Sequence, residues 1–550
     1  MKRGITLILA CLLLIAVPAM HVFACTIVAV GKNATVDGST IITHNDDSGS
    51  ADFRLWIIPA KDWEEGEARD IVLDCHNYGD YGINGDPWEN PDYGKGIKMG
   101  EDPYTGHTYA YFHCRYSFMN EVGVAMGEAT NSLSRRTEKG LAAYNALFAD
   151  NKGWIDCWNA QDIALERAKT AREAIEVMGY LCETYGWRDP CETMDITDGN
   201  EVWVFEAYGK DMWCAVRIPD DHFFIAANSA RINYIDFNDT AHENYMWAPN
   251  MVQFAIDNGL WKEGDDLAKF SPADIFCPSG SNLRVWRGLC LAAPSMADQF
   301  APTANAATEL PLSVKPDKLL SVQDIFEIKG DYYQGTPYDK SLYPDAGPWG
   351  NPNAHTKQRS IGVPQSCYVH IGQVKAWLPE KIRGVSWFGY GGADTTYLTP
   401  LWPAMEKLPE FYYTGSRYET FRRDSGWWTN SYVQQICEIN YQYGIKLLHA
   451  NRQEKMDLQY AVVDNLQEVA AQLIEAGNEE AALKMISDYA YYNAVDWHDR
   501  WLAFGDQLLA TFMWGRIKFS TPRQSAWWSD IMKNAPMRDL ETSPFTVPNI

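Results

Sequence analysis

The 550-residue chain has few histidines and lacks two common metal-binding motifs. It contains only 11 histidines, and it has neither a Cys-x-x-Cys pair nor a His-Glu-x-x-His motif. Both motifs are common signatures of zinc sites. We therefore expect no metal site and no cofactor.

Positive charge is also scarce. The chain has 47 Lys and Arg against 72 Asp and Glu, for a formal net charge of −25. Such a surface repels nucleic acids and anionic membranes, so we expect neither as a partner. Beyond the first 24 residues no apolar run approaches the ~18 residues of a membrane span. We expect no transmembrane span after residue 24.

The first 24 residues have the pattern of a secretory signal peptide. Lys2 and Arg3 precede an apolar stretch over residues 5–20, and Val22-Phe23-Ala24 forms a small-residue cleavage site. The sequence therefore predicts an exported protein, periplasmic or extracellular, whose mature chain begins at Cys25. Two alternatives stay open for this cysteine, which are lipid attachment in a lipoprotein and pairing in a disulfide.

A cysteine at the N-terminus carries a thiol and a free α-amine on one residue. The thiol has an ordinary pKa of about 8.5 and the amine one of about 7.7–8.0, so the neutral amine is a suitable acceptor for the thiol proton. We therefore predict Cys25 as a catalytic nucleophile that needs no separate histidine.

The residues after Cys25 predict a hairpin. β-branched and apolar runs at 26–30 and 40–43 flank a turn that contains Asp37 and Gly38. Folding about this turn brings residues 44–47 beside Cys25. A carboxylate there would hold the amine of Cys25 or a positively charged group of a substrate, whereas an ordinary solvated turn is the alternative.

These residues carry a resemblance to a known family. The Cys-Thr start, the Asp-Gly-Ser turn and Asn45-x-Asp47 resemble the N-terminus of the cysteine dipeptidase family of N-terminal-nucleophile (Ntn) hydrolases, which includes the secernins. More distantly they resemble penicillin V acylases and bile salt hydrolases. Those relatives have Arg-Asn-x-Asp, so Asp47 matches and His44 replaces the usual arginine.

Three later stretches are similar to the same family. The turn at 120–123 leads into a strand that ends at Thr130 and Asn131, one of which the resemblance implies as an oxyanion-hole group. Asn228, after the third of three strands in 202–226, matches an asparagine whose side chain faces the oxyanion in the relatives. Arg284 resembles a late arginine near the nucleophile, with an ordinary surface salt bridge as the alternative.

The resemblance implies an α+β fold, a four-layer αββα sandwich of two antiparallel sheets between helices, with a C-terminal helical extension. Residues 159–186 predict two helices, the second starting at a Thr170–Glu173 capping box. Long amphipathic helices are predicted from Asn430. The predicted organisation is a signal peptide at 1–24, an Ntn-hydrolase domain at 25–415, a helical extension packed on it at 416–515 and an unassigned tail at 516–550.

Cys25 and Cys11 aside, ten cysteines remain. An even number in an exported chain permits up to five disulfides, and buried free thiols are the alternative.

We predict a hydrolase that cleaves short peptides through a thioester on Cys25. Cys25 and Asn228 are the predicted catalytic residues, and Asp47, Thr130, Asn131 and Arg284 the predicted substrate-binding residues. The predicted partner is a short peptide substrate, and a homo-oligomer is left open. The alternatives are an N-acyl amidase of the penicillin acylase type, a lipid-anchored binding protein and a non-catalytic relative marked by His44.

Overall fold

The computed structural model of the chain describes residues 25–49, 51–73 and 96–536. The predicted signal peptide, Cys75 and the end of the tail lie outside these residues.

The described chain contains 19 strands: β1 (Ile27–Val30), β2 (Thr40–Asp46), β3 (Trp56–Ile58), β4 (Lys61–Trp63), β5 (Ala68–Leu73), β6 (Ile97–Pro103), β7 (Gly106–Thr108), β8 (Tyr111–His113), β9 (Met119–Asn120), β10 (Ala125–Thr130), β11 (Glu192–Thr197), β12 (Val202–Gly209), β13 (Met212–Ile218), β14 (Phe223–Ala226), β15 (Tyr245–Trp247), β16 (Ser313–Val314), β17 (Tyr368–Val374), β18 (Gly384–Tyr390) and β19 (Thr399–Leu401).

The same residues contain 12 α-helices: α1 (Glu138–Phe148), α2 (Cys157–Arg167), α3 (Ala171–Tyr185), α4 (Met251–Asp257), α5 (Pro272–Phe276), α6 (Leu283–Ala292), α7 (Val322–Lys329), α8 (Glu380–Arg383), α9 (Gly426–Glu438), α10 (Tyr441–Glu475), α11 (Glu479–Thr511) and α12 (Ala526–Asn534).

Two large antiparallel sheets form the centre of the molecule. The seven-stranded sheet has the order β16-β14-β1-β2-β17-β18-β19, and the eight-stranded sheet has the order β15-β13-β12-β11-β10-β9-β8-β3. Every residue of β1 and β2 is buried. This burial explains why both strands are rich in β-branched and apolar residues, since layers cover them on both faces.

The two sheets contact each other closely at β2 and β10. A side chain at Gly127 of β10 would place its Cβ 2.5 Å from the carbonyl oxygen of Thr43, so only glycine fits there. At the other end of β2, the hydroxyls of Thr40 and Thr197 lie 2.7 Å apart. These contacts fix the eight-stranded sheet against the second strand of the predicted N-terminal hairpin.

Helices cover both sheets. α2 and α3 pack on the eight-stranded sheet, where Gly179 of α3 admits the ring of Trp213. The Thr170 hydroxyl caps α3 as predicted, although the Glu173 carboxylate accepts from Lys169 N–H and not from Thr170 itself. α6 and α7 pack on the seven-stranded sheet. The predicted α+β sandwich with αββα layers is therefore confirmed.

Three C-terminal helices, α9 to α11, pack at the β18–β19 edge. Buried side chains of α10 donate hydrogen bonds to main-chain carbonyls there, Gln459 to Leu398 at 2.7 Å and Gln467 to Ile382 at 2.6 Å. The predicted long helices are thus present, the first starting slightly earlier than expected, at Gly426. α12 in the tail has no buried residue. The domain boundaries themselves stay a prediction.

Among the described residues no helix combines the length and the apolar character that crossing a membrane requires.

Candidate active site

Cys25 lies at the entry to β1, where the hairpin brings the two strand ends together. β1 pairs with β2 in the antiparallel register Ala29 to Ile42, and Thr26 bridges to Asn45. The end of β2 therefore lies beside Cys25, as the turn residues predicted. The Cys25 side chain is completely buried, and its thiol donates to Oε1 of Glu128 in β10 at 2.8 Å.

The surroundings of the thiol favour its protonated form. Burial raises the pKa of Cys25 well above its usual value, and the carboxylates of Glu128, Asp46 and Asp47 raise it further. The full chain therefore holds Cys25 as a thiol with its proton directed at Glu128.

His44 lies on the other side of Glu128. Its Nε2 is 3.1 Å from Oε1 of Glu128, and its Nδ1 is 2.9 Å from the hydroxyl of Tyr368 in β17. The side chains of all four residues are buried: Cys25, Glu128, His44 and Tyr368. His44, which replaces the arginine of the resembling family, thus faces the same carboxylate as the thiol.

Arg284 in α6 holds the main chain at Cys25. Its Nη1 donates to the Cys25 carbonyl and to the Thr26 hydroxyl, both at 3.0 Å. Its Nη2 donates to the Ala227 carbonyl at 3.2 Å and to Oδ1 of Asn228 at 2.6 Å. Burial, and then the charge of Arg359, lowers the pKa of Arg284 to about 10, so it stays charged at neutral pH. The alternative of a surface salt bridge is wrong, since Arg284 is buried and bonds these uncharged acceptors.

Asn228 follows β14 and links Arg284 to the end of β10. Its φ of 56° lies in the left-handed region, which asparagine tolerates better than most residues. Its Nδ2 donates to the carbonyl of Thr130 at 2.5 Å. The structure therefore brings together four of the predicted residues, Cys25, Thr130, Asn228 and Arg284.

A cleft opens beside Asn228. It has a volume of about 570 Å³, and hydroxyl and amide side chains line much of it, including Ser132, Ser229 and Asn282. Asn282 caps the N-terminus of α6 through the Arg284 N–H at 3.1 Å. The cleft is large enough for a short peptide and reaches the residue predicted to face an oxyanion.

The model of peptidase family C69 matches residues 24–76 and 97–454, more than half of the chain. The chain belongs to peptidase family C69. The resemblance stated from the N-terminal motif is therefore confirmed, and this C69 chain is a hydrolase of the cysteine peptidase class.

Curated relatives of this C69 chain align over most of their own length. A dipeptidase of Bifidobacterium longum is 24% identical over 485 residues, which cover 84% of this chain and 85% of the relative. Dipeptidase A of Lactobacillus helveticus is 24% identical over 494 residues, covering 86% and 94%. A probable dipeptidase B of Lactococcus lactis is 27% identical over 406 residues, covering 71% and 76%.

Two of the residues predicted to bind substrate already form hydrogen bonds within the protein. The Asp47 carboxylate accepts from Nη2 of Arg359 at 2.9 Å and from the hydroxyl of Ser366 at 2.6 Å. The Asn131 amide donates to the Thr193 hydroxyl at 2.9 Å. Any substrate group that reaches Asp47 therefore shares it with Arg359.

Two further side chains of the C69 chain reach the site without having been predicted. Glu128 contacts the thiol directly. Lys329, the last residue of α7, donates to the Thr26 carbonyl and to the Thr43 hydroxyl, at 3.1 Å from the latter. Burial lowers the pKa of Lys329 to about 7, against the opposing effect of Asp47. Glu128 is a carboxylate within a buried strand, which is a signal that the sequence could have offered. Lys329 ends a helix that also contains Gln, Asp and Glu, so nothing in the sequence marks it.

Two groups of side chains in the described residues hold sulfur and nitrogen or oxygen atoms within 4.8 Å of one another: Cys25, His44 and Glu128; Cys157, Asp189 and Glu192. Donor atoms around a tetrahedral zinc ion stand about 3.4–3.6 Å apart. The 2.8 and 3.1 Å separations around Glu128 are shorter and are those of hydrogen bonds. We therefore assign hydrogen bonds to the group of Cys25, His44 and Glu128.

Every cysteine in the described part of the C69 chain has a free thiol. None of these ten cysteines, Cys25 included, forms a disulfide, so the disulfide prediction is wrong for them. Most of them are buried, where a protonated thiol packs as a small apolar group.

Proposed function

We propose that this chain is an exported dipeptidase that hydrolyses short peptides, with Cys25 as the N-terminal nucleophile. One observation carries the proposal. The Arg284 guanidinium binds both the main-chain carbonyl of Cys25 and the side-chain oxygen of Asn228. The relatives that align with most of this chain are named dipeptidases.

The proposed reaction proceeds through a thioester. The sulfur of Cys25 attacks the scissile carbonyl, and the amine of the second residue leaves. An amide N–H of Asn228, with main-chain N–H groups near Thr130 and Asn131, stabilises the negative oxygen of the tetrahedral intermediate. Water then hydrolyses the thioester and frees Cys25.

The carboxylate of Asp47 supports a substrate with a free amine. An ammonium group that enters beside β2 would share Asp47 with Arg359, whose guanidinium already holds one carboxylate oxygen. A dipeptide presents such an ammonium group close to its scissile bond, whereas an N-acylated amino acid does not. We therefore place dipeptides ahead of N-acyl compounds as substrates.

Export and cleavage after Ala24 are part of the proposal. In the full-length chain the nitrogen of Cys25 belongs to a peptide bond, so a free α-amine arises only by cleavage. Intact mass and N-terminal sequencing of the protein, purified after expression of the full chain in an exporting bacterium, test this step. An unmodified Cys25 at the N-terminus is expected, and a lipid adduct or another start would refute it.

Hydrolysis assays test the activity. The processed protein is expected to release amino acids from a panel of dipeptides and to leave N-acetyl amino acids intact. The Cys25→Ala variant should be inactive, because no other group forms the thioester. Cys290→Ala, which removes a half-buried thiol of α6 outside the site, should keep full activity. Activity in Cys25→Ala, or cleavage of N-acetyl substrates alone, would overturn the proposal.

A further inference from the structure

A segment near the C-terminus carries a charge opposite to that of the whole molecule. Residues 513–536, which we call the C-terminal tail, contain four basic residues and one acid, in a chain whose formal net charge is −25. The basic residues are Arg516, Lys518, Arg523 and Lys533. Among the described residues only Lys533 has an acid partner, and that partner, Asp530, belongs to the same helix. The positive charge of the tail is therefore left without a counter-charge on the rest of the described chain.

Large apolar side chains of the same tail face outward. Trp514 is 78% exposed and Phe519 is 63% exposed, and Trp527 and Met532 of α12 are each about half exposed. α12 has nine residues and buries none of them. Isolated helices shorter than about 12–15 residues are marginal in water, so a helix of this length depends on an apolar surface to stabilise it. The tail therefore has the character of a segment that docks on a partner.

The outer side of α10 has the complementary character. Leu447, Leu458 and Val469 are exposed and follow one another at intervals of 11 residues, which is close to three helical turns. They therefore lie along one side of the helix, which we call the α10 face. Exposed acids, Glu454 and Asp457, precede Leu458 on the same helix. Over residues 441–511, which form α10 and α11, 11 acids stand against five basic residues.

We propose that the C-terminal tail of one chain docks on the α10 face of a second copy, and that two chains exchange their tails to form a dimer. Such an exchange makes two identical contacts and closes on itself. The tail has 24 residues, and a stable interface uses about 20–30 residues on each side. The tail does not cover the α10 face of its own chain, because Leu458 and Val469 are exposed there.

Charge favours a second copy over a lipid surface as the partner. The basic tail meets opposite charge on the acidic helices of another chain, and it meets apolar side chains at the same place. An anionic membrane would also attract the tail, but it would repel the remainder of a chain with a net charge of −25. At physiological ionic strength charges act over about 8 Å, so contacts between tail and face outweigh the repulsion between the two whole molecules.

The proposed contact lies outside the catalytic part of the molecule. The family match ends at residue 454, so Leu458, Val469 and the whole tail follow it in the chain. The exchange of tails is therefore an addition to the C69 fold, and its test does not depend on peptidase activity.

Light scattering coupled to size-exclusion chromatography tests the dimer with the full mature protein. The wild type is expected to have the mass of two chains. Trp527→Asp in the tail and Leu458→Asp on the α10 face each place an acid in the contact, and each should raise the dissociation constant of the dimer by at least about 30-fold, as the loss of an interface hot spot does. Leu267→Asp changes an exposed leucine between α4 and α5 and should leave the dimer intact. Circular dichroism checks that all three variants fold.

Mixing the two variants tests the exchange itself. The Trp527→Asp chain keeps an intact α10 face, and the Leu458→Asp chain keeps an intact tail. One good contact forms only between the two different chains, so the mixture should dimerise at a lower concentration than either variant alone. A mixture that dimerises no better than the separate variants would overturn the exchange of tails.

Three other outcomes also contradict the proposal. A wild-type protein that stays monomeric at every concentration shows that no second copy docks. A dimer that neither substitution weakens uses another surface. A monomer that co-sediments with phosphatidylglycerol vesicles, and loses this binding in Trp527→Asp, assigns the tail to a membrane surface.

Discussion

Arg284 is the side chain on which the hydrogen bonds of the site converge. Its four hydrogen bonds reach three carbonyl or amide oxygens and one hydroxyl, at Cys25, Thr26, Ala227 and Asn228. Replacement by methionine keeps the length but leaves these buried acceptors without a charged donor. We expect Arg284→Met to lower the free energy of unfolding by at least ~3 kcal/mol in urea denaturation.

A surface arginine provides the comparison. Arg422 is exposed and pairs with Asp424, so Arg422→Met should cost less than ~1 kcal/mol. Equal losses in Arg284→Met and Arg422→Met would mean that the buried contacts of Arg284 contribute no more to stability than a surface ion pair.

The hydrogen-bond donor of the Asn228 amide can be removed without changing the shape of the side chain. Asn228→Asp keeps the shape, tolerates the positive φ and still accepts from Arg284, but it has no N–H to donate. We expect kcat for dipeptides to fall by about 10²–10³-fold with the fold intact by circular dichroism. An unchanged kcat would show that the oxyanion receives its hydrogen bonds from main-chain N–H groups only.

Only part of the site could be predicted from the sequence. The cleavage motif identifies Cys25, and the family resemblance identifies Asn228 and Arg284. Glu128 and Lys329 were missed because nothing local identifies their partners. A carboxylate within a buried strand is visible as unusual, but the thiol and imidazole that it contacts lie 103 and 84 positions away.

At the scale of elements, the join between α9 and α10 depends on one small residue. A Cβ on Gly444 of α10 would lie 2.7 Å from the carbonyl oxygen of Cys437 and 2.8 Å from its sulfur. Main chain cannot move aside as a flexible side chain can. Gly444→Ala should therefore lower the free energy of unfolding by about 1–3 kcal/mol, measured by chemical denaturation.

Gly280 is the matched control for this substitution. No atom lies within 4 Å of a Cβ built there, and its φ is not in the left-handed region. Gly280→Ala should stay within about 0.5 kcal/mol of wild type. A similar loss at both glycines would rule out the close approach of α9 and α10 as the cause.

Element types follow from sequence patterns, but sheet order does not. Alternation and turn residues predict the β1–β2 hairpin, the β12–β14 strands and both helices of residues 159–186. The partner of β2 on its other side is β17, with Asp46 opposite Tyr368. No local pattern specifies a pairing between strands so far apart in the chain. The family resemblance therefore predicts the layers of the sandwich, but only the structure gives the order of the strands within each sheet.

At the scale of the whole molecule, the helical extension and the catalytic layers are joined by buried polar contacts. Gln459 and Gln467 of α10 donate to carbonyls near β18 and β19. The family match ends at residue 454, within α10, so the later helices lie beyond it. An extension held in this way is expected to unfold together with the sandwich.

Buried acids make the stability of the whole molecule depend on pH. Burial raises the pKa of Asp195 to about 8 and that of Glu192 well above its usual value. Between pH 5 and 7 Asp195 keeps its proton when folded and loses it when unfolded. Its contribution to stability is therefore greatest at low pH and declines as pH rises, by about 1.4 kcal/mol per pH unit, and the raised pKa of Glu192 acts in the same direction. The free energy of unfolding should accordingly be higher at pH 5 than at pH 7.

The same argument predicts what one substitution does to that dependence. An asparagine side chain does not titrate. Asp195→Asn should therefore remove the contribution of one titrating group from the slope of the free energy of unfolding against pH. Lys329, with a pKa lowered to about 7, opposes the trend only above that pH, since below it the amine is protonated in both states. Urea denaturation from pH 5 to 7 measures the slope, with the exposed Asp265→Asn as control. An unchanged slope in Asp195→Asn would mean that Asp195 is ionised in the folded protein.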